Sequence, residues 1–95
     1  MKIKWFACAI NDLIEIRKYI AEDNPAAAQN VASKIKEATS LLKEHSAAGR
    51  SGRIEGTREL VIPEFPYIIP YRVRNGEIEI LRVLHNARKW PSKFD

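Results

Sequence analysis

The sequence predicts an α+β domain of order β-α-α-β-β-β, with a helical hairpin packed on a small, mainly antiparallel sheet. Three observations predict it. Apolar residues recur at helical spacing on both sides of an Asn24-Pro25 break. Two alternating apolar runs flank Asn75-Gly76, a dipeptide suited to a two-residue hairpin turn. Three of the four glycines lie between Gly49 and Gly56, where the helical half gives way to the β-like half.

Ile3 to Phe6 reads as a first strand, and from about Cys8 the pattern turns helical, with Ala9, Leu13, Ile16 and Ile20 on one stripe. That helix is expected to stop near Asp23, because the residue before Pro25 disfavours helix. Asn24 and Pro25 in turn suit the N-cap and first position of the next one. The second helix places Ala28, Val31, Ile35, Ala38 and Leu42 on its buried stripe and ends before Gly49. Ala26, Ala27, Ala28 and Ala32 allow close packing at its start.

The Gly49–Arg58 stretch carries three glycines and three arginines and is expected to be a loop rather than a regular element. Its glycine spacing lacks the Gly-Lys-Ser/Thr ending of a phosphate-binding P-loop and does not match a dinucleotide fingerprint, which argues against nucleotide hydrolysis. Three β-like runs follow, at Arg58–Ile62, Tyr67–Arg74 and Glu77–His85. The Asn75-Gly76 turn sets Val73 against Ile78, Arg72 against Glu79, Tyr71 against Ile80 and, if regular, Ile69 against Arg82. One face then holds Tyr67, Ile69, Tyr71, Val73, Ile78, Ile80 and Leu84 and is assigned to the helices. The other holds Ile68, Arg72, Glu79, Leu81, Val83 and His85, with Pro70 among them. Pro70 in mid-strand marks an edge or a bulge, and a bulge there shifts the register for Arg82 and His85. The expected organisation is one domain over residues 1–95: a helical hairpin at about 8–45, a Gly/Arg loop at 49–57, a meander at about 58–85 and a tail at 86–95.

Composition bounds the function. With 16 Lys+Arg against 12 Asp+Glu the chain carries a formal charge of +4, and at 95 residues it has no room for a separate cofactor domain. A chain this short buries only about 60 to 65% of its unfolded surface, so an obligate partner is plausible on size alone. The single cysteine, Cys8, forms no internal disulfide, and no Cys/His set with zinc spacing exists; neither metal nor cofactor is expected. The apolar start is broken by Asn11-Asp12 before a signal segment or membrane span is complete, so a cytoplasmic protein without membrane contact is expected. Seven of the eight arginines lie between Arg50 and Arg88. Arginine forks suit phosphate or carboxylate, although on strands and loops they also serve as solvated cross-strand partners.

Several ordered motifs span nearly the whole chain. They begin with Trp5, Ala9-x-x-Asp12-Leu13-x-x-Ile16, Tyr19-Ile20-Ala21 and Asn24-Pro25-x-Ala27-Ala28. They continue with Gly49-Arg50-x-Gly52-Arg53-x-x-Gly56-Thr57-Arg58-Glu59-Leu60-Val61, Pro66-Tyr67-Ile68-Ile69-x-Tyr71-Arg72-Val73 and Ile80-Leu81-x-Val83-Leu84-His85-x-x-Arg88-x-Trp90-Pro91. Together they resemble the RelE/ParE superfamily of bacterial toxins, ParE-like branch. The resemblance implies a toxin of a type II toxin–antitoxin module, held inactive in the bacterial cytoplasm by a cognate antitoxin, with operator DNA contacted mainly through the antitoxin. ParE-like members poison DNA gyrase by a protein–protein contact; RelE-like members cut messenger RNA on the ribosome; a non-toxic member that only binds antitoxin is the third alternative.

Candidate residues follow for each role. Phe65, Ile68, Leu81, Val83 and Trp90 are apolar anchors for a wrapping antitoxin peptide, with ordinary core or tail packing as the alternative. Arg50, Arg53 and Lys93 are target or phosphate contacts, Lys93 because the resemblance points to the tail. Metal-free RNA cleavage needs a proton donor, a proton acceptor and cations to hold phosphorane charge, roles open to His85, Arg82 and Arg58 under the ribonuclease alternative only. A tail without tyrosine and a modest net charge weigh against the nuclease. His85 has a structural role open to it as well, bonded to the tail at a strand end. His45, between the second helix and the loop, reads as a helix-end or solvated side chain.

Overall fold

The computed structural model describes residues 1–94; Asp95, the last residue of the expected tail, lies outside them. The elements are β1 (Lys2–Trp5), α1 (Ala7–Ala21), α2 (Pro25–Ser40), a short 3-10 turn (Leu41–Lys43), β2 (Arg50–Ser51), β3 (Arg58–Ile62), β4 (Tyr67–Arg74), β5 (Glu77–Ile80) and β6 (Leu84–His85). The fold is α+β, with the helical hairpin on one face of a mixed sheet ordered β1-β5-β4-β3-β2 and β6 added to β4. Pairing is antiparallel except where β1 runs parallel to β5, a crossover for which the two helices supply the chain length.

Local chemistry accounts for the helical hairpin. The Asn24 side chain accepts the Ala27 N–H at 3.1 Å, and Pro25 occupies the first helical turn, where its missing donor costs nothing. The buried stripes, Ala9 and Leu13 on α1 and Val31, Ala32 and Ile35 on α2, meet Ile69, Tyr71, Ile78 and Ile80 of the sheet, and Ala28 of α2 is buried as well. Each of the large side chains among these is worth about 1.5–3 kcal/mol when withdrawn from water. Asn75 and Gly76 adopt φ of 53° and 74°, the two positive values that a twist-matched hairpin turn requires. The register near this turn is the expected one, Tyr71 with Ile80, Arg72 with Glu79 and Val73 with Ile78, although Val73 itself is exposed.

The structure departs from the sequence reading in two places. Arg50–Ser51, expected as loop, forms a two-residue edge strand against Arg58 and Glu59. The run Glu77–His85, expected as one strand, is two. Tyr71 pairs with Ile80 but Ile68 pairs with Leu84, so Leu81, Arg82 and Val83 stand opposite only Ile69 and Pro70. This bulge sits where Pro70 removes a ladder donor. The Pro70 carbonyl accepts from Leu81 N–H at 3.0 Å, and a strand residue directs its N and O to the same side, so the ring nitrogen faces the bulge. Pro70 is fully buried on a central strand rather than on an edge.

One extra residue inverts the parity beyond it. Val83 joins the helix-facing core instead of the opposite face. His85, paired with Tyr67, is likewise on the helix side, while Leu84, paired with Ile68, is on the other. Arg82 does not face Ile69; it turns out of the ladder toward α1.

Candidate functional site

A groove of about 640 Å³ lies between α1 and the β4–β6 end of the sheet. Asp12, Ile16 and Tyr19 form its helical wall; Tyr67, Arg82 and Val83 to His85 form its floor; Arg88, Lys89 and Trp90 of the tail close one end. The bulge assembles this groove, because it turns His85 to the helix side and lets Arg82 leave the ladder to reach Asp12.

Arg82 is held by Asp12, its Nε and Nη2 donating to the two carboxylate oxygens at 2.7 and 3.0 Å. The Asp12 hydrogen bond holds the guanidinium pKa above its usual value against the smaller opposing effect of burial. The same carboxylate accepts the Val83 N–H at 3.0 Å, so it also satisfies a backbone donor released by the bulge. The His85 ring packs edge-on against Tyr67 with centroids 5.8 Å apart. Its Nδ1 accepts the Ala87 N–H at 3.1 Å, which in the neutral ring leaves the proton on Nε2. Burial raises the Tyr67 phenol above its ordinary pKa, Arg88 opposing and Tyr19 reinforcing the shift, so Tyr67 is no base at neutral pH.

Arg58 does not join His85 and Arg82. It pairs with Tyr71 on one side of β4, whereas His85 pairs with Tyr67 on the other. The two positions are about 13 Å apart along β4 by strand rise alone. Arg58 instead donates to Gly49 O at 2.9 Å, tying the loop to β3.

The opposite face of the sheet carries paired charges. Glu59, 3% exposed, accepts from Arg50 Nη2 at 3.1 Å and from the Arg53 backbone N–H at 2.9 Å, with Arg53 Nε at 3.8 Å. Glu79, also buried, takes Arg72 at 2.6 Å and Arg74 at 3.9 Å. Arg53 stacks on Trp90, 3.5 Å from the ring centre, and Trp90 Nε1 donates to His85 O at 3.2 Å. Trp90 thus clamps the tail to the loop through Arg53.

Of the other expected anchors, Ile68 (4%) and Leu81 (1%) are buried, and Val83 lies in the core, while Phe65 is half-buried against that core. Lys93 lines a cleft with Cys8, Leu81 and Phe94. His45 is exposed beyond the 3-10 turn. Among the described residues no three His, Cys, Asp or Glu side chains are grouped as a metal site would need. No helix of these residues is long and apolar enough to cross a membrane.

Sequence reasoning missed two carboxylates that organise the site, Asp12 and Glu59. Asp12 sits on the first helix beside the buried stripe, and Glu59 interrupts a strand; neither has its arginine partner within reach of a local pattern.

The model of the ParE toxin of the type II toxin–antitoxin system, parDE, matches residues 3–90. The chain is 47% identical over 90 residues to the toxin-named protein Y4kP of Sinorhizobium fredii, covering 95% of this chain and 93% of that one. It is 37% identical over 87 residues to toxin RelE2 of Caulobacter vibrioides, covering 92% and 97% of the two. A solved chain from the chromosomal ParDE TA system of P. aeruginosa superposes with a TM-score of 0.81 at 32% identity, over 90% of this chain and 95% of that one. With a family model spanning both the helical hairpin and the sheet, and relatives aligned over almost their full length, this chain belongs to the ParE toxin family of type II toxin–antitoxin systems, in the RelE/ParE superfamily.

Proposed function

We propose that this toxin arrests growth as a binding inhibitor of DNA gyrase, trapping the enzyme on cleaved DNA, and that its cognate antitoxin neutralises it in the cytoplasm. The single observation that carries this reading is the engagement of the groups a nuclease would need. Arg82 is consumed by Asp12, Arg58 by the Gly49 carbonyl, and His85 Nδ1 by the Ala87 amide. A phosphorane needs mobile or unpaired cations beside an acid–base pair, whereas a surface that binds a protein target needs rigidity. Arg50, Arg53 and Lys93 are the proposed target contacts. Phe65 and Trp90 keep enough exposed surface to meet the antitoxin.

A ribosome-dependent ribonuclease is the second reading. It draws on the relative named toxin RelE2 and on the groove itself, where His85 shares a lining with Arg88 and Lys89. The test titrates antitoxin-free protein into gyrase supercoiling and cleavage reactions, and in parallel into a translating ribosome with defined message. Loss of supercoiling with accumulated cleaved DNA and intact message is expected. Codon-phased message cleavage with unaffected gyrase would replace the first reading by the second.

A further inference from the structure

Six of the eight lysines precede residue 44, and the fold gathers several of them at one end. A groove of about 590 Å³ separates β1 from the end of α2, and Lys2, Lys36 and Lys43 line it with Ser40, beside Ile3 and Trp5. Lys36, Ser40 and Lys43 fall at spacings of four and three, which puts them on one face of α2 and its 3-10 extension. Lys2 and Lys4 share one side of β1, so the basic strip continues along the strand. The lining holds no acidic residue, and among the described residues none of these four lysines makes an ion pair.

Neighbouring acids leave the strip basic. Glu37 and Glu44 follow Lys36 and Lys43 by one position, which turns them to another face, outside the lining. Glu79, across from Lys4, is held by Arg72 and Arg74, while Glu77, across from Lys2, pairs with no cation among the described residues. Four lysines thus stand against one unmatched carboxylate.

Residue type selects the ligand. Where this protein holds a carboxylate at short range it uses an arginine fork: Arg82 on Asp12, Arg50 on Glu59, Arg72 on Glu79. The unmatched cations of the strip are all lysines, compact point charges that meet the phosphates of a nucleic-acid backbone without requiring a planar two-oxygen acceptor. Ser40 is exposed and adds a hydroxyl of the kind that contacts phosphate oxygens. Trp5, the aromatic side chain in the lining, is half-buried against the core, so it gives unpaired bases no open ring to stack on, and the surface suits a duplex.

We propose that the strip formed by Lys2, Lys4, Lys36 and Lys43 binds the phosphate backbone of double-stranded DNA without sequence preference, giving the toxin a second ligand beside its protein target. The source of that DNA, the duplex held by gyrase, rests on the gyrase reading. The experiments use toxin and DNA alone, so either idea can fail without the other.

Antitoxin-free full-length chain is titrated into a short fluorescent duplex of random sequence between about 50 and 200 mM salt, with anisotropy as the readout. Log affinity is expected to fall against log salt with a slope of about −3 to −4, about 0.9 for each phosphate neutralised. Lys36→Glu with Lys43→Glu is expected to melt like the parent, to bind at least about tenfold more weakly and to lose about 2 from the slope. The double Arg replacement is expected to keep both. Arg17→Glu with Lys18→Glu, exposed on α1, changes the net charge equally and is expected to bind like the parent. Amine labelling of the parent needs no variant: DNA is expected to shield Lys2, Lys36 and Lys43 and to leave Lys18 reactive. Absence of binding at the lowest salt would overturn the proposal. So would equal losses in the two charge-reversed variants or equal shielding of Lys18, which would reduce the effect to net charge. Tighter capture of polyglutamate than of the duplex would make an acidic peptide the occupant instead.

Discussion

Asp12 on α1 and Arg82, 70 residues later, form a two-pronged ion pair that fastens the first helix to the bulge between β5 and β6. Both side chains are largely shielded, 15% and 28% exposed, so the pair is not the solvated surface kind that contributes little. Because Asp12 also accepts the Val83 N–H, one carboxylate sets both the position of Arg82 and the backbone path that brings His85 into the groove.

Asp12→Ala is therefore expected to destabilise the chain by about 2–3 kcal/mol, since it leaves a shielded guanidinium and a backbone donor unmatched. Urea unfolding measures the loss. A double-mutant cycle with Arg82→Ala is expected to show coupling of about 1 kcal/mol or more; additive losses would mean the pair is energetically idle.

The loop is anchored by one buried hydroxyl. Tyr71 Oη accepts the Gly49 N–H and donates to Ser46 O, both at 2.8 Å. Tyr71→Phe leaves the Gly49 donor unsatisfied and is expected to cost about 1–3 kcal/mol. Gly49→Ala attacks the same contact sterically: its methyl would lie 2.6 Å from the Tyr71 ring and 2.9 Å from Glu59 O. A loss of about 1–3 kcal/mol is expected, checked by thermal unfolding of both variants.

Alkaline pH offers a test of burial. Tyr67 has its pKa raised in the folded state, so the stability it contributes is fully present below its ordinary pKa of 10.0. That contribution is lost as pH climbs from there through the folded value. Tm measured from pH 8 upward is expected to fall more steeply above pH 10 in the parent than in Tyr67→Phe; parallel curves would contradict the assignment.

His85→Ala separates the two toxic readings. Under the gyrase proposal growth inhibition persists, with at most a small stability loss from the Ala87 N–H contact and the Tyr67 ring contact. Abolished growth inhibition with unchanged antitoxin binding and folding would favour ribonuclease chemistry.

The sequence by itself determined the α+β class, the helical hairpin with its Asn24 cap, the Asn75-Gly76 turn and the register beside that turn. All of these depend on residues within a few positions of one another, where propensity, capping and turn geometry act directly. It also marked Pro70 as the place where the ladder breaks. Only the tertiary structure decided which strand takes the extra residue, and that decision moved Val83 and His85 to the helix face and sent Arg82 to Asp12. Parity is a collective property: one unpaired residue re-aims every side chain after it, and no pattern within β5 or β6 records the offset. The same holds for Glu59, whose partners Arg50 and Arg53 reach it only because a two-residue strand folds back on β3. Contacts between distant segments are selected by the whole packing, and there the charges of this protein acquire their partners.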